Sequence, residues 1–373
     1  MTRMTAAETN EMQGRKKLTV LAWPLRSPAN RYPETLYMHL PNVDAHDFVA
    51  GRSGLKAIFR RKYDVFHIHW LERAFWRGGR IAVLKAVAAT LCAAALLKLR
   101  GASIIWTAHD PVPHDMKGNA IFRRGAFYWL WHVYSHLLVA MTDGVILLSA
   151  THRDILAATY PGLMRKASAV IPHPHFKGVY PADAGRGLAR SRLGIEEDSF
   201  LLLLPGSIRP YKNAEALIAA FARLAASDLR LLIAGKADTP AYAKKLRALG
   251  GEDERIRFSF DFIPDDALQL YLSAADLVVI PFRKATNSGS VALALSFARP
   301  VAVPDIPVFR EVRDIVGSDW LYLFRGELDA AGLERIIAWA RTTPRAAEPD
   351  LGELDWERIA ERTMDFFHAV RGG

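Results

Sequence analysis

The sequence predicts two α/β domains, each built on a doubly wound parallel sheet, and three observations support this fold class. The chain has 373 residues, which is long for a single core and ordinary for two. Short apolar runs alternate with stretches of helical length, as in parallel sheets with crossover helices. This pattern restarts after a segment rich in Pro, Gly and His at residues 173–187, where we place the domain junction.

Ten apolar runs are the predicted strands. Those of the first half are 18–23, 65–69, 103–108, 144–148 and 169–172. Those of the second half are 200–204, 229–234, 256–260, 277–281 and 300–303. Helices are expected between them, for example at 214–226 and 241–249, and a last helix at about 356–370. The division that follows is a flexible N-terminus (1–17), a first domain (18–178), a second domain (187–355) and a C-terminal helical segment (356–373).

Cysteine content and hydropathy indicate a cytoplasmic protein. The single cysteine, Cys92, excludes a disulfide framework within the chain and a cysteine-cluster zinc site. Residues 1–17 are polar and lack the apolar centre of a signal peptide. The longest apolar run, residues 86–97, is about half the length that a membrane-spanning helix needs. We therefore expect no transmembrane segment.

Charge is divided unevenly along the chain. Residues 1–180 hold 24 Lys and Arg against 11 Asp and Glu, whereas residues 181–373 hold 25 against 28. The cations of the first half are interleaved with aromatic residues, namely Phe59, Phe75, Trp76, Phe127, Tyr128, Trp129, Trp131 and Tyr134. This combination favours an anionic membrane surface as a partner. No nucleic-acid-binding signature is present, so we expect no nucleic acid. The alternative is that the aromatics are core residues and the charges are merely solvated.

Two loops of the second half have the composition of an anion site. Gly206, Ser207, Arg209 and Lys212 lie between a predicted strand and helix. Arg can bind two phosphate oxygens at once, and Lys supplies a mobile charge. The second loop, Asn287-Ser288-Gly289-Ser290, opens a helix whose N-terminal N–H groups attract anions. Separately, these loops could be a solvated basic loop and an ordinary capped helix, but together they predict a diphosphate site.

The order of these motifs, ending in Arg299-Pro300-Val301, resembles the donor domain of the GT-B glycosyltransferases that build bacterial lipopolysaccharide and exopolysaccharide. The resemblance implies two Rossmann-like domains with a cleft between them and a final helix that crosses back to the first domain. It places Arg209 and Lys212 on the diphosphate of a nucleotide sugar, which is a co-substrate, so that no cofactor is expected. It implies transfer of a hexose from GDP-mannose or a UDP-hexose to a glycan or a polyprenyl-diphosphate-linked acceptor at the inner face of the plasma membrane.

Two further segments bear on this resemblance. Residues 171–180 resemble its hinge loop, which implies that His173 and His175 face the donor, although a proline-stiffened linker explains them equally well. Many retaining members carry two glutamates, eight residues apart, around the glycine loop. The matching positions here hold Ala285 and Leu293. This departure leaves open whether the reaction retains or inverts the anomeric configuration. An inverting reaction would need a general base near the acceptor hydroxyl.

Ionisable residues follow two strands of the first half, and both segments resemble the histidine-rich acceptor loops of the same family. The expected acceptor-binding residues are His67, His69, His109 and His114. The expected base is Asp110, followed by Asp115 and Glu72. Alternatively, the histidines satisfy backbone groups of the loops. A metal site is a further alternative, but we expect none, because two cations and a helix dipole can stabilise the leaving diphosphate.

Two other functions fit the same architecture. One is a sugar-nucleotide epimerase, which would release product without an acceptor. The other is a GT-B-like binding protein that has lost its chemistry, an alternative that the two missing glutamates leave open.

Overall fold

A computed structural model describes residues 16–27, 30–76, 79–109 and 125–372. These residues form two compact units. Unit 1 comprises residues up to 172 together with 354–373, and unit 2 comprises residues 173–353. Each unit contains one six-stranded sheet in which all neighbouring strands are parallel.

The sheet of unit 1 has the order β2-β1-β3-β4-β5-β6. Its strands are β1 (Leu18–Trp23), β2 (Val43–Asp47), β3 (Val65–Ile68), β4 (Ser103–Ala108), β5 (Gly144–Leu147) and β6 (Ala167–Val170). The helices between them are α1 (Tyr32–His39), α2 (Arg52–Arg60), α3 (Arg80–Leu99), α4 (Ala126–Met141) and α5 (His152–Thr159). The central strands are buried throughout, as parallel strands covered by helices on both faces must be.

The sheet of unit 2 has the order β12-β11-β10-β7-β8-β9. Its strands are β7 (Phe200–Pro205), β8 (Leu229–Ala234), β9 (Ile256–Ser259), β10 (Leu277–Val279), β11 (Val301–Pro304) and β12 (Leu321–Phe324). Its helices are α6 (Arg186–Leu193), α7 (Ala214–Phe221), α8 (Pro240–Gly250), α9 (Leu268–Ala274), α10 (Gly289–Ser296), α11 (Pro307–Val316) and α12 (Ala330–Thr342).

The last helix, α13 (Trp356–Gly372), belongs to unit 1. Its apolar face lies so close to β5 that a Cβ on Gly144 would be 2.8 Å from Val370 and 2.9 Å from Phe366. Arg371 forms an ion pair with Asp64 at 2.9 Å, and Arg362 donates to the carbonyl of Val170 at 2.6 Å. Apolar packing and two cations thus hold α13 against the sheet of unit 1.

Several expectations about local structure were wrong. Neither β2 nor β12 was predicted, and β6 begins two residues earlier than expected. The predicted helix 214–226 is shorter, because α7 ends at Phe221. Three of the aromatics assigned to a membrane surface are core residues instead, because the helices of unit 1 pack over them: Phe75, Trp131 and Tyr134.

Candidate functional site

The loop after β7 places a lysine inside unit 2. Gly206 adopts a positive φ of 85°, which turns the chain sharply at the end of the strand. A single turn of 3₁₀ helix, Pro210–Lys212, then leads through Asn213 into α7. Ser207 is exposed and Arg209 is half-buried, whereas Lys212 is almost fully buried. The loop therefore presents one cation near the surface and a second one beneath it.

Lys212 connects the two loops that the sequence singled out. Its Nζ donates to the carbonyl oxygen of Pro205 at 2.7 Å and to Oγ of Ser290 at 2.9 Å. Both of these partners are neutral. Burial, and secondarily the charge of Arg209, lower the pKa of Lys212 to about 7. The ammonium group is thus held at the start of α10 without a full counter-charge in these contacts.

The N-terminus of α10 completes this arrangement. Oγ of Ser288 accepts a hydrogen bond from the backbone N–H of Val291 and caps the helix, and Gly289 and Ser290 form the first turn. Asn287 precedes the cap and is half-buried. Because the first N–H groups of a helix carry partial positive charge, this end and Lys212 favour the same kind of ligand, an anion.

Two glycines allow the backbone of this region to pack closely. A Cβ on Gly206 would lie 3.1 Å from both Nζ of Lys212 and Oγ of Ser290. Gly235, which follows β8 with a φ of +134°, is tighter, since its Cβ would lie 2.2 Å from the carbonyl oxygen of Gly206. Gly235 was not among the predicted site residues. It could have been found as a glycine at the end of a buried apolar run, β8, which is the neighbour of β7 in the sheet.

His173 and His175 open unit 2, and His173 lies near the first turn of α10. Nδ1 of His173 lies 2.7 Å from the carbonyl of Pro174, so this nitrogen carries the proton. Burial lowers the pKa of His173 to about 4, and Nε2 points toward Gly289, where an added Cβ would be 3.9 Å away. His175 is buried, and its Nδ1 accepts from the backbone N–H of Lys177 at 3.1 Å. His173 is thus a neutral neighbour of the anion-favouring end of α10.

Arg283 is a second residue that the sequence analysis did not assign. Its backbone N–H donates to the carbonyl of Tyr211 at 2.8 Å, and its Nε donates to Oδ1 of Asn213 at 3.1 Å. These bonds fasten the segment before α10 to the loop after β7. Ala285 and Leu293 stand at the two positions where many retaining members of the family carry glutamates. Ala285 lies in this same segment, and Leu293 lies within α10.

In unit 1, the histidines after β3 and β4 come together as a buried cluster. The rings of His67 and His69 are 4.3 Å apart, on one face of the strand, as the period of a β-strand requires. His69 Nδ1 lies 3.1 Å from Nε2 of His109. The hydroxyl of Tyr37, on α1, lies 2.6 Å from Nδ1 of His67 and 3.3 Å from Nε2 of His69. Thr107, on β4, bonds the other nitrogen of His67 at 2.7 Å.

Two histidines of this cluster, His67 and His69, are uncharged at neutral pH. Burial lowers the pKa of His67 to about 3 and that of His69 well below its ordinary value. The ring of His109 stacks on Trp70 with 4.7 Å between centroids and meets the edge of Tyr32 at the same distance. The contacts of His67 and His69 are thus to side chains rather than to loop backbone. Tyr37 and Thr107 had no signal in their local sequence that linked them to the histidines.

The expected bases are only partly described. Glu72 lies in a 3₁₀ turn, Leu71–Phe75, and is buried. Its charge contributes, after burial itself, to raising the pKa values of Tyr134 and Tyr160. Asp110, His114 and Asp115 lie outside the described residues. Within the described ranges, no group of three or more His, Cys, Asp or Glu side chains is arranged to hold a metal ion.

A separate surface of unit 1 is apolar. Helices α3 and α4 pack against each other and expose Ile81, Leu84, Leu99, Trp129, Val133 and Leu137. Helix α4 contains no Asp, Glu, Lys or Arg. By length and composition, α3 is the one helix among the described residues that could cross a membrane. Of its most apolar stretch of 18 residues, 44% is buried inside the protein. A core helix can pass the same test.

Comparisons with known proteins agree with this architecture. The family model "Glycosyl transferases group 1" matches residues 199–338, which contain the Lys212 loop and α10. The chain is 29% identical over 353 residues to the GDP-mannose:glycolipid 4-beta-D-mannosyltransferase of Xanthomonas campestris pv. campestris, covering 92% of this chain and 90% of that protein. The chain is therefore similar to a glycosyltransferase along most of its length, and its second unit carries the pattern of that family.

Solved structures support the same two-domain fold. Sucrose-phosphate synthase from Thermosynechococcus elongatus superposes with a TM-score of 0.66 at 17% identity, over 96% of this chain and 100% of that one. Anabaena HepE in complex with UDP-glucose gives 0.61 at 14% identity, over 95% and 98% of the two chains. At these identities the likeness concerns the fold. The predicted pair of Rossmann-like sheets is thereby confirmed.

Proposed function

We propose that this protein is a glycosyltransferase that moves mannose from GDP-mannose to a lipid-linked glycan, with inversion at the anomeric carbon and without a metal ion. The observation that carries the proposal is the pairing of Lys212 with Ser290 at the N-terminus of α10. The name of the Xanthomonas relative supports the choice of donor, acceptor and β-linkage. A UDP-hexose is the alternative donor.

The donor diphosphate would bind where unit 2 concentrates positive potential. Arg209 and Lys212 would contact its oxygens, and the first N–H groups of α10 would receive the remaining charge. When the glycosidic bond to the diphosphate breaks, these groups would stabilise the departing nucleotide. They perform the task that a divalent ion performs in other transferases, which is the reason we propose metal independence.

The acceptor would bind to unit 1 at the carboxyl ends of β3 and β4. A carboxylate there, Asp110 in our proposal, takes the proton from the acceptor hydroxyl. The acceptor oxygen forms a bond to the anomeric carbon while the bond from that carbon to the diphosphate oxygen breaks on the opposite side. A β-linked product from an α-linked nucleotide sugar requires this single displacement. His67, His69, His109 and His114 would surround the acceptor sugar.

The apolar surface of α3 and α4 would hold unit 1 on the cytoplasmic face of a membrane. Exposed Trp129 suits the interfacial region of a bilayer, and the cations Arg80, Lys85 and Arg100 flank the apolar residues of α3. A transferase at that surface meets a lipid-linked acceptor where the acceptor is concentrated. The membrane itself is thus a proposed partner.

Calorimetric titration of GDP-mannose and UDP-glucose tests the donor site directly. Arg209→Ala and Lys212→Met should each weaken binding about 10- to 100-fold, because each removes a charge-assisted hydrogen bond to the diphosphate. Lys244→Met is the matched control, since Lys244 is exposed on α8. Unchanged affinity in both site variants would show that the diphosphate does not bind at these residues.

Product analysis separates transfer from the competing functions. With GDP-mannose and a lipid-linked acceptor, we expect a mannosylated lipid, and the same rate in EDTA. Release of free sugar or an epimer in the absence of acceptor would instead identify a sugar-nucleotide epimerase. Donor binding without any turnover would identify a binding protein. Loss of turnover in EDTA, restored by Mg²⁺ or Mn²⁺, would contradict metal independence.

A further inference from the structure

Nζ of Lys212 and Oγ of Ser290 border one small space beside Gly206. The two atoms are 2.9 Å apart, and a Cβ on Gly206 would lie 3.1 Å from each of them. Glycine at this position, with its positive φ of 85°, therefore leaves a place in front of both atoms that any other side chain would fill. A ligand atom that approaches Gly206 from this side meets an ammonium group and a hydroxyl group together.

The direction of the bond between these two groups follows from their chemistry. A bound anion favours the charged form of Lys212, and an ammonium group has three N–H donors and no acceptor. Nζ of Lys212 therefore donates, and Oγ of Ser290 accepts. A second bond from Nζ goes to the carbonyl oxygen of Pro205 at 2.7 Å. One N–H of Lys212 is left over, and so is the hydroxyl proton of Ser290, because a hydroxyl that accepts can still donate.

The hydroxyl proton of Ser290 has no acceptor within the part of the chain that the structure describes. Serine inside a helix commonly donates to the carbonyl oxygen four residues earlier. Ser296, the last residue of α10, does so, since its Oγ lies 2.6 Å from the carbonyl oxygen of Ala292. Ser290 is the second residue of the same helix, and four residues before it the helix has not begun. Its hydroxyl is therefore available to a ligand.

The bond from Lys212 makes this hydroxyl a stronger donor. An oxygen that accepts from a cation withdraws electron density from its own O–H, so hydrogen bonds in series strengthen one another. Lys212 is 3% exposed, whereas Ser290 is only half-buried. Ser290 thus transmits part of the buried positive charge to the edge of the site, beside the N–H groups of the first turn of α10.

We propose that Ser290 is a catalytic residue, whose hydroxyl is held by Lys212 and donates to the phosphate oxygen that separates from the sugar. The proposal rests on the proposed function, which places the donor diphosphate at this loop. As the bond between the anomeric carbon and this oxygen breaks, its electron pair stays on the oxygen, and the protons of Ser290 and Lys212 remain on their own atoms. The hydrogen bond strengthens because its acceptor changes from an uncharged ester oxygen to a charged one.

This role predicts a contrast between the sugar nucleotide and the free nucleotide. In GDP-mannose the oxygen is bonded to carbon and is a poor acceptor, whereas in GDP it is a terminal phosphate oxygen that carries negative charge. Ser290→Ala should therefore weaken binding of GDP about 10- to 100-fold and that of GDP-mannose less than about threefold. Ser290→Thr keeps the hydroxyl and should match wild type. Ser191→Ala, exposed on α6, is the matched control.

Calorimetric titration of the full-length protein at pH 7 with GDP, GDP-mannose, UDP and UDP-glucose measures this contrast. The UDP pair gives the same comparison if the protein uses the alternative donor. Equal losses for a nucleotide and its sugar nucleotide in Ser290→Ala, or no loss for either, would overturn the role of Ser290 and leave the proposed transfer intact. A wild type that bound none of the four would contradict the proposed function, and this role with it.

A double-mutant cycle on turnover tests whether Lys212 acts in part through Ser290. Ser290→Ala should lower kcat about 10- to 100-fold and leave KM for the donor almost unchanged, since the bond forms fully only in the transition state. Lys212→Met then has less to remove, so the loss in the double variant should be smaller than the product of the two single losses. A loss equal to that product would show that the two groups act independently and would contradict the proposal.

Discussion

The two units place functional side chains at the same point of a parallel sheet, yet the chemistry they assemble there is opposite. At the carboxyl end of β7, unit 2 buries a lysine against neutral oxygens and directs the positive end of α10 toward it. At the carboxyl ends of β3 and β4, unit 1 buries His67 and His69, which are uncharged, and His69 is hydrogen-bonded to His109. Ligands of open α/β sheets bind at these ends, so the same architecture serves both sites.

This contrast in charge supports the proposed placement of the donor on unit 2 and of the acceptor on unit 1. A site with an incompletely compensated cation favours a diphosphate, which supplies the missing negative charge. A neutral site of donors and acceptors favours sugar hydroxyls, which need directional hydrogen bonds and no net charge. The experiments that follow test this division, from the largest expected effect to the smallest.

The largest effect should come from the proposed base. Asp110→Asn removes proton acceptance from the acceptor hydroxyl and should lower kcat by about 10²–10⁴-fold, with GDP-mannose affinity almost unchanged. Asp115→Asn and Glu72→Gln, assayed in parallel, locate the base if it is not Asp110. Full activity in all three variants would exclude an inverting displacement that uses one of these carboxylates as the base. It would also contradict the proposed role of unit 1 in binding and activating the acceptor.

The next effect concerns the backbone beneath Lys212. Gly235→Ala should lower the free energy of unfolding by about 2–3 kcal/mol, because it combines a positive φ with a Cβ 2.2 Å from the carbonyl oxygen of Gly206. Gly185→Ala is the control, since Gly185 has a φ of −66° and a Cβ there meets nothing within 4 Å. Equal denaturation midpoints for the two variants would mean that the loop after β7 is not tightly supported.

The Lys212 site of unit 2 and the histidine cluster of unit 1 also differ in how much of each could be predicted from the sequence. Gly206, Arg209 and Lys212 could be assigned from their spacing, because a strand, a glycine and two cations before a helix are local features. Ser290, 78 residues away, was assigned to the same predicted site, but its direct bond to Lys212 depends on which strands are neighbours in the sheet and was not predicted. Tyr37 was overlooked for the same reason, since its helix is 30 residues from His67. The residue types at each site were predictable from local sequence, whereas the hydrogen bonds between distant segments were not.

The fold shows the same limit at the sheet edges. Most inner strands were predicted, since burial on both faces produces continuous apolar runs. Two of the four edge strands, β2 and β12, were overlooked, whereas the other two, β6 and β9, were predicted. β2 reads Val-Asp-Ala-His-Asp, which contains no apolar run. An edge strand needs only one partner and has one side in solvent, so its sequence is weakly constrained.

The contrast in charge also predicts a dependence on pH that is confined to the donor site. The pKa of Lys212 is about 7, against 10.5 ordinarily, and an anion must raise it. GDP-mannose binding should therefore take up a proton and weaken as pH rises from 7, by at most tenfold per pH unit. Calorimetry from pH 6 to 9, in buffers of different ionisation enthalpy, measures both the affinity for GDP-mannose and the number of protons taken up. Lys212→Met should abolish the proton uptake.

The same residue links stability to pH with a defined sign. Because the pKa of Lys212 is lower in the folded protein, the unfolded chain binds its proton more tightly. The free energy of unfolding contributed by this residue should thus rise between pH 7 and pH 10.5. Below pH 7 the lysine is charged in both states, so the full cost of burying the charge remains. The difference between wild type and Lys212→Met should change across that range and be constant below it.

The smallest effects concern the membrane surface of unit 1, and they separate its charges from its apolar residues. Lys85→Gln and Arg100→Gln should each reduce binding to vesicles with anionic lipid by about 1 kcal/mol, and should change nothing with neutral vesicles. Trp129→Ser should weaken binding to both kinds of vesicle, since it removes buried apolar area rather than charge. Lys244→Gln and Arg223→Gln, exposed in unit 2, are the controls.

If these controls weaken vesicle binding as much as the substitutions in unit 1, net charge alone drives association, and α3 and α4 do not form the membrane surface. If only the unit 1 variants respond, the unit that carries the neutral acceptor site is also the one that meets the bilayer.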